Sequence, residues 1–594
     1  MCGIVGYVGN RTAQQILLSS LSRLEYRGYD SCGIAISGSG IKIYKDVLRV
    51  AELAKVAPLL NGTIGIGHTR WATCGEPSVT NAHPHIGCNS DVAVVHNGVI
   101  TNHNSLRKQL IDEGHTFITE TDTEVIPHLI EKYYEGNLEE AVSSAVEILE
   151  GSYAIAVLMV NEQKLVVARK DSPLIIGVGD QETFIASDVP AILDYTDRLI
   201  YLEDGDIGVL SGDNIKIFKN GEEVTREEHK ILWTLEAAQR GGYEHFMLKE
   251  IFEQPTVIRD TLAEYARTPV SFGDLIKIRD GGFESIIILA CGTSYNAALV
   301  GKYVIEDLVG VPVRVEIASE FNYYERTLSG SLTIVITQSG ETADIIKAIR
   351  KITGTGGQVI AITNVADSSI SRIADQTIYT KAGPEISVAA TKSFSAQLMV
   401  LYWLAMGSSK VSASRLSALR MELRQLPSKA QQVLDNTEVI KQYAGYLSGY
   451  ENAFFIGRGI NFPIALEGAL KLKEISYIHA EGYASGELKH GPFALLGENT
   501  PVIAIVSHDN TYDAMLTNIR EIEARKSPLI ALVEKEDETV AKLVDFVIPM
   551  PRIDPLFSPV TNVIALQLLS YYTAKIRGCS IDFPKNLAKS VTVE

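Results

Sequence analysis

The second residue of the chain carries the most specific chemistry. In Met1-Cys2-Gly3-Ile4-Val5-Gly6-Tyr7, removal of Met1 would put the Cys2 thiol and the chain's α-amine on one carbon. A thiol of pKa near ~8.5 then has a base of pKa near ~7.7–8.0 beside it, where a lysine amine at ~10.4 would stay protonated. That pair is a nucleophile with its own base. Taken alone, a cysteine at position two also reads as an accident of a short apolar strand, and the glycines around it do not decide.

A second set of residues could hold an anion. Two strand-to-helix turns are rich in hydroxyls: Cys291-Gly292-Thr293-Ser294 and Thr337-Gln338-Ser339-Gly340-Glu341-Thr342. A helix N-terminus offers unsatisfied N–H groups and a positive dipole, to which hydroxyls add donors. One such turn reads as helix capping. Two in one βα domain, at the carboxyl ends of strands, point to a phosphate site. A helix over residues 467–475 sets Glu467, Lys471 and Glu474 on one face, which alone is a surface ion ladder. The stretch 479–492, with its glycines, His479, His490 and alternating charges, reads as an active-site loop or as a solvated turn. Cys74, His83, His85 and Cys88 could be grouped as zinc ligands, but their spacing fits none of the usual patterns, and no metal is expected. Residues 584–594 read as a frayed tail, with nothing in the physics to raise Lys589 above Lys585.

The elements that must position these residues differ between the two halves. The first ~215 residues show short strands (Cys2 to Tyr7, Gly33 to Ile36, Val92 to Val95, Tyr153 to Val160) and two longer helical patterns over 102–113 and 124–134, an α+β layered domain. Residues 222–249 are charged and polar and read as a linker. The second half alternates apolar strands with helix patterns, the signature of parallel βαβ units. It also repeats itself: 286–292 resembles 453–459, 332–338 resembles 501–507, 359–363 resembles 529–533, and 395–405 resembles 563–573. The second copy has Gly457-Arg458-Gly459 and Ser507-His508-Asp509-Asn510 at its turns, without the hydroxyls and with an acid that repels phosphate. Two doubly wound domains in tandem, one of which has lost its ligand site, is the economical reading.

Composition narrows the function classes. A chain of 594 residues exceeds one core, so two to four domains are expected. The net charge of −18 argues against a general nucleic-acid or membrane-surface binder. No apolar run approaches the ~20 residues of a membrane span, and no secretory signal pattern opens the chain. The six cysteines contain no C-x-x-C pair. Together these suggest a cytoplasmic protein.

The motifs taken in order closely resemble the family of isomerising glutamine–fructose-6-phosphate aminotransferases, the glucosamine-6-phosphate synthases. The resemblance rests on Cys2 to Tyr7, His68-Thr69-Arg70-Trp71-Ala72-Thr73, Asn81-Ala82-His83-Pro84-His85, His96-Asn97-Gly98 and Glu120-Thr121-Asp122-Thr123-Glu124. It continues through 337–342, 481–492 and 587–591, nearly the whole chain. It implies an α+β N-terminal-nucleophile (αββα) glutaminase domain over 2–217, a linker with connecting helices over 218–278, α/β doubly wound SIS domains over 279–415 and 446–584, and an active-site tail over 585–594. The implied reaction joins L-glutamine and D-fructose 6-phosphate, without cofactor, in a homodimer that handles neither nucleic acid nor membrane.

Carried over by motif, Cys2 is the nucleophile, with Asn97 and Gly98 as the oxyanion hole. Arg70, Trp71, Thr73, His83 and Asp122 would form the glutamine site, with Arg70 and Asp122 gripping its carboxylate and ammonium and Trp71 gating an ammonia path. Thr293, Ser294, Thr337, Gln338, Ser339, Thr342, Val388 and Lys471 would hold the sugar phosphate. Lys589 would form the Schiff base, His490 would open the ring, and Glu474 would move the proton between C1 and C2. Two positions depart from the pattern: Cys74 stands where the family often has histidine, and Thr337 where serine is common. A phosphoribosyl-pyrophosphate amidotransferase would need a diphosphate loop with paired acids, which the sequence lacks. A sugar-phosphate sensor with a vestigial glutaminase would tolerate loss of Cys2, Glu474, His490 or Lys589, and all four are present.

Overall fold

The computed structural model describes residues 2–591 apart from 26, 73, 213, 231–239, 267–282, 325–327, 329 and 367. Two compact units emerge. One comprises residues 1–238 with the short segments Glu341–Ala343 and Ala588–Glu594; the other comprises Gln239–Gly340 and Asp344–Leu587.

The first unit is built on two antiparallel sheets, of eight and seven strands. In the first sheet β1 (Gly3–Val8) pairs antiparallel with β2 (Ile64–Arg70), Gly3 facing Thr69. Both strands are buried along their whole length. The helix Ala13–Ser22 presses on them through glycines: a Cβ at Gly65 would meet Leu17 Cδ1 at 2.9 Å, and one at Gly67 would meet Leu21 Cδ1 at the same distance. The second sheet contains β3 (Val92–Ile100) beside β4 (Gly151–Met159). Ile4, Ile66, Val95, Ala154, Val167 and Ile185 pack between the sheets. The opposite side of the second sheet carries α1 (His103–Asp112), α2 (Val125–Tyr133) and Leu138–Ile148, whose Leu110, Ile126, Leu129 and Val142 bury against Val92, Val94 and Ile155. Helix, sheet, sheet and helix give the αββα layering.

The expected linker begins too early. Glu222–Val224 and Glu228–Lys230 are the outer strands of the second and first sheets respectively. Edge strands carry charge on their open side, which blocks pairing with other chains. The same charge imitates a linker composition.

The second unit holds two five-stranded parallel sheets. In spatial order the first runs Val313–Ile317, β5 (Ser285–Ala290), β6 (Ser331–Ile336), Val359–Thr363 and Gln376–Tyr379; the second runs His479–Ala484, β7 (Asn452–Gly457), Val502–Ile505, Leu529–Glu534 and Phe546–Met550. Both follow the order 2-1-3-4-5, and the four repeated segments fall at matching places in the two copies. Between the copies α3 (Gly292–Val309), α4 (Lys392–Gly407), α5 (Phe462–Ser476) and α6 (Ser558–Ile576) share one apolar core. Gly468 on α5 lets the helix approach closely, because a Cβ there would lie 2.6 Å from Leu566 Cδ1 and 2.9 Å from Phe455 Cδ1. Both neighbours are fully buried. Gly468→Ala is therefore expected to destabilise the second unit by about 1–3 kcal/mol. Scanning calorimetry would show its transition moving down, and an unchanged profile would mean that this contact relaxes freely.

Candidate active sites

The pairing of β1 with β2 sets Cys2 beside the residue that follows β2. Trp71 N–H donates to Cys2 Sγ at 3.2 Å, and the thiol donates to the Trp71 carbonyl at 3.4 Å. Burial pushes the Cys2 thiol up, while the positive amino terminus, the Trp71 N–H and Arg70 pull it back. The Cys2 carbonyl accepts from Asn97 Nδ2 at 3.0 Å and from Arg27 Nε at 3.3 Å. Asn97 and Gly98 lie together on β3. Gly98 has φ +126°, and a Cβ there would stand 2.1 Å from the Ser152 carbonyl oxygen, so the backbone turn admits no side chain.

The orientation of Asn97 is set by His68 on β2. His68 Nε2 lies 3.0 Å from the His96 carbonyl and 3.1 Å from Asn97 Oδ1. Both partners are acceptors, so Nε2 carries the proton and the Asn97 amide must present its NH2 toward Cys2. Burial drives His68 down to about 3, which keeps the ring neutral. His83 stacks on His68 with centroids 4.0 Å apart, accepts the His96 N–H at 3.3 Å, and meets His85 edge-on at 4.5 Å. Burial pulls His83, His85 and His96 below the ordinary range as well.

Arg70, the last residue of β2, is buried and donates to the carbonyls of Cys74, Gly75 and Glu76 at 2.5, 2.8 and 3.2 Å. Position 74 thus supports Arg70 through its backbone; its thiol donates to the Glu120 carbonyl at 3.4 Å. Asp122 is buried and accepts the Ile100 N–H at 2.8 Å; it and Cys2 both act on the Arg70 charge. The Trp71 ring lies edge-on to Tyr29 at 5.8 Å. Thr73 lies outside the described residues. The sequence reading passed over Lys45, whose ammonium donates to the carbonyls of Thr80, Ala82 and Pro84 at 3.3, 2.6 and 3.1 Å. It clamps the loop carrying His83, and burial draws it down to about 8. A clamp on three carbonyls has no sequence signature.

In the second unit the expected surface ion ladder is a buried network. Glu467 and Lys471 are fully buried, because α5 faces α3 of the other copy. Lys471 Nζ lies 2.5 Å from Glu474 Oε2 and 3.5 Å from Glu467 Oε1. Burial alone would lower Lys471, but Glu474 and Glu467 outweigh it and hold the ammonium charged. Thr293 at the start of α3 donates to Glu467 Oε1 at 3.0 Å and accepts from Lys471 at 3.1 Å; Asn296 donates to Glu467 Oε2 at 2.7 Å. The Thr293 hydroxyl is thus engaged in joining the copies. Ser294 Oγ accepts from Gln397 Nε2 at 3.0 Å and keeps its own proton to donate. The side chain of Cys291, which precedes α3, makes no capping hydrogen bond among the described residues.

The turn after β6 is tight. Its Thr337 N–H donates to the Ile362 carbonyl, the Gln338 carbonyl accepts from Asn364 N–H, and a Cβ at Gly340 (φ +70°) would sit 2.0 Å from Ser368 Oγ. Val388 is buried, its N–H on the Asp582 carbonyl at 3.1 Å. His490 ends a turn of 3₁₀ helix with its side chain exposed, and among the described residues no hydrogen bond joins it to Glu474. Thr342 and Lys589 belong to the two short segments of the first unit. There the Val591 carbonyl accepts from Ala343 N–H at 3.1 Å, so the tail is hydrogen-bonded as far as Val591.

These features define a glutamine amidotransferase domain followed by paired SIS domains. The family description of the glutamine amidotransferase domain matches residues 68–194, and that of the SIS domain matches 283–407 and 446–577. The chain is 48% identical to the glutamine–fructose-6-phosphate aminotransferase (isomerizing) of Caldanaerobacter subterraneus subsp. tengcongensis and 48% identical to that of Pyrococcus horikoshii, over 100% of each pair of chains. A solved C-terminal domain of the Francisella tularensis glucosamine-fructose-6-phosphate aminotransferase superposes with TM-score 0.53 and 40% identity, covering 58% of this chain and 100% of that one. The chain belongs to the family of isomerizing glutamine–fructose-6-phosphate aminotransferases. Among the described residues no helix is long and apolar enough to cross a membrane.

The His68 contact generates a test with two readouts. His68→Phe removes the donor that fixes Asn97, and kcat for glutamine hydrolysis is expected to fall about 10–100-fold with KM little changed. His68→Gln, which keeps an N–H, should restore part of it. The folded pKa near 3 lies below an unfolded value of about 6.5. The neutral ring's contribution to stability is therefore complete above about pH 6.5 and lost as pH falls toward 3, at no more than about 1.4 kcal/mol per pH unit. Melting curves of the phenylalanine variant should be flatter across that window, and an equal slope would remove His68 from the acid response.

Proposed function

We propose that the chain converts D-fructose 6-phosphate and L-glutamine to D-glucosamine 6-phosphate and L-glutamate. The observation that carries this reading is the Cys2 thiol held on Trp71 N–H beside an amide-presenting Asn97, in a chain that matches its relatives from end to end.

With Met1 removed, the Cys2 α-amine takes the thiol proton and the thiolate attacks the glutamine amide carbon. Asn97 Nδ2–H and Gly98 N–H stabilise the oxyanion. Collapse expels ammonia, and water hydrolyses the thioester to glutamate. Arg70 and Asp122, both buried and anchored, bind the α-carboxylate and α-ammonium; His83 and Thr73 complete that pocket, and Trp71 gates the ammonia path. Most free ammonia in neutral water is ammonium, so releasing ammonia shielded from water preserves the nucleophile.

For the sugar, Ser294, Thr337, Gln338, Ser339 and Thr342 bind the phosphate with hydroxyls, amides and the uncapped N-terminus of α3. Thr293 contributes its backbone N–H, since its hydroxyl is engaged, and Val388 closes the apolar side. His490 opens the ring, Lys589 forms the Schiff base at C2, and Glu474, held by Lys471, moves the proton from C1 to C2. The reading carries a cytoplasmic homodimer without cofactor and without nucleic-acid or membrane partners, in keeping with the net charge of −18.

Incubation with glutamine and fructose 6-phosphate should yield glucosamine 6-phosphate and glutamate in equal amounts. Cys2→Ala should abolish glutamine-dependent synthesis and keep hexose-phosphate isomerisation. Lys589→Arg should be nearly dead for both synthesis and isomerisation while basal glutaminase stays close to intact, because a guanidinium stays protonated and forms no imine. Failure to form the amino sugar, or full synthesis by either variant, would refute the assignment.

A further inference from the structure

The sequence reading grouped Cys88 with Cys74, His83 and His85. The fold separates them and gives Cys88 other neighbours. His83 and His85 enter the imidazole cluster around His68, and Cys74 lies against Glu120. Cys88 sits in the turn before β3, where its sulfur meets His115, just past α1, and His128 and Glu131 on α2.

Four donor atoms converge there. Cys88 Sγ is 3.7 Å from His115 Nδ1 and 3.6 Å from His128 Nδ1. Glu131 Oε2 is 3.4 Å from His115 Nδ1 and 3.7 Å from His128 Nδ1. One ligand atom from each of the four residues lies within 4.8 Å of the others. Each imidazole Nδ1 is thus close to both the sulfur and the carboxylate oxygen. A tetrahedral zinc ion with Zn–S near 2.3 Å and Zn–N or Zn–O near 2.0–2.2 Å has ligand-to-ligand edges of about 3.3–3.6 Å. Four of the six edges, at 3.7, 3.6, 3.4 and 3.7 Å, lie within a few tenths of an ångström of that figure.

The surroundings are those of a held ligand set. Cys88 N–H and Asn89 N–H fix the two Glu131 oxygens at 3.0 and 2.8 Å, and Thr116 N–H donates to Cys88 Sγ at 3.4 Å. Phe117 packs on the His128 ring at 4.5 Å. His128 is buried, and among the described residues its Nε2 makes no hydrogen bond; it lies 3.9 Å from Glu124 Oε1, so a metal on Nδ1 would leave an N–H turned toward a carboxylate. That outer arrangement orients metal-bound histidines. His128 and Glu131 share one face of α2 by i,i+3 spacing.

We propose that Cys88, His115, His128 and Glu131 form a tetrahedral zinc site. One thiolate, two imidazoles and one carboxylate suit zinc by charge and softness, and four protein ligands leave no open position, so the site is structural. It ties the turn before β3 and the loop after α1 to α2. Sequence spacing hid it because its ligands come from three separate segments.

The test uses the full chain in a Cys2→Ala background, so that the nucleophile's thiol cannot contribute. After growth with added zinc and dialysis, elemental analysis should find about one zinc per chain. Removing ligands by Cys88→Ser with His115→Ala should cut retention at least about tenfold. Cobalt(II) added to the chelator-stripped chain should give the visible bands of a tetrahedral ion and a near-ultraviolet thiolate charge-transfer band, with the latter missing in Cys88→Ser. Chelation should lower the melting temperature of the parent, and zinc should restore it. Substoichiometric zinc together with a parent chain that gives no cobalt–thiolate band would overturn the proposal. So would zinc retained undiminished by the doubly substituted chain. The cobalt titration keeps the test decisive if the double variant misfolds.

Discussion

The first unit depends on how one strand register delivers a thiol. Gly3 opposite Thr69 places Cys2 against the backbone of Trp71, and the next residues of the partner strand, His68 and Arg70, supply the proton that orients Asn97 and the charge that acts on the thiol. A slip of one residue would turn every side chain to the other face. The glycines of these strands are the complement of that register, since Leu17 and Leu21 close over them and leave no room for a shift. Nucleophile, guanidinium and the histidine that orients the amide donor are thus consequences of one pairing rather than separate placements.

The second unit depends on a different device. A lysine with two carboxylates is buried between the copies, with Thr293 and Asn296 reaching across from the other copy. Replacing such a network with apolar side chains often costs nothing in stability, whereas breaking it leaves an uncompensated charge. The arrangement supports the role proposed for Glu474, which at the edge of the network stays one-fifth exposed while Lys471 behind it is closed off. A carboxylate that must exchange a proton with a sugar needs access on one side and a fixed counter-charge on the other.

Much of this was legible in the chain. The four repeated segments fixed the tandem sheets because each carries a strand or helix with its own period, and the N-terminal motif order carried the αββα unit. The hydroxyl turns stood out as well, although hydroxyls at a helix start also serve as caps, and the Thr293 hydroxyl is engaged in joining the copies. What escaped was whatever depends on contacts distant in sequence. Glu467 and Lys471 looked solvated because helical spacing does not say what faces the helix. Residues 222–230 looked like a linker because edge strands and linkers share their charges. His68 was readable as part of a motif but not as the residue that sets an amide's orientation, and nothing in the spacing put Cys88 beside His115, His128 and Glu131.

In the proposed reaction Cys2 Sγ is the attacking atom, with the Cys2 amine free and the thiol held by Trp71. A glutamine analogue bearing a diazoketone in place of the amide alkylates an activated thiol with loss of dinitrogen. Intact-mass and peptide analysis after one such treatment should show one adduct per chain, on a peptide beginning at Cys2 with Met1 absent, in step with loss of glutaminase activity. An adduct on Cys74 or another cysteine, or inactivation of a chain that retains Met1, would contradict the account.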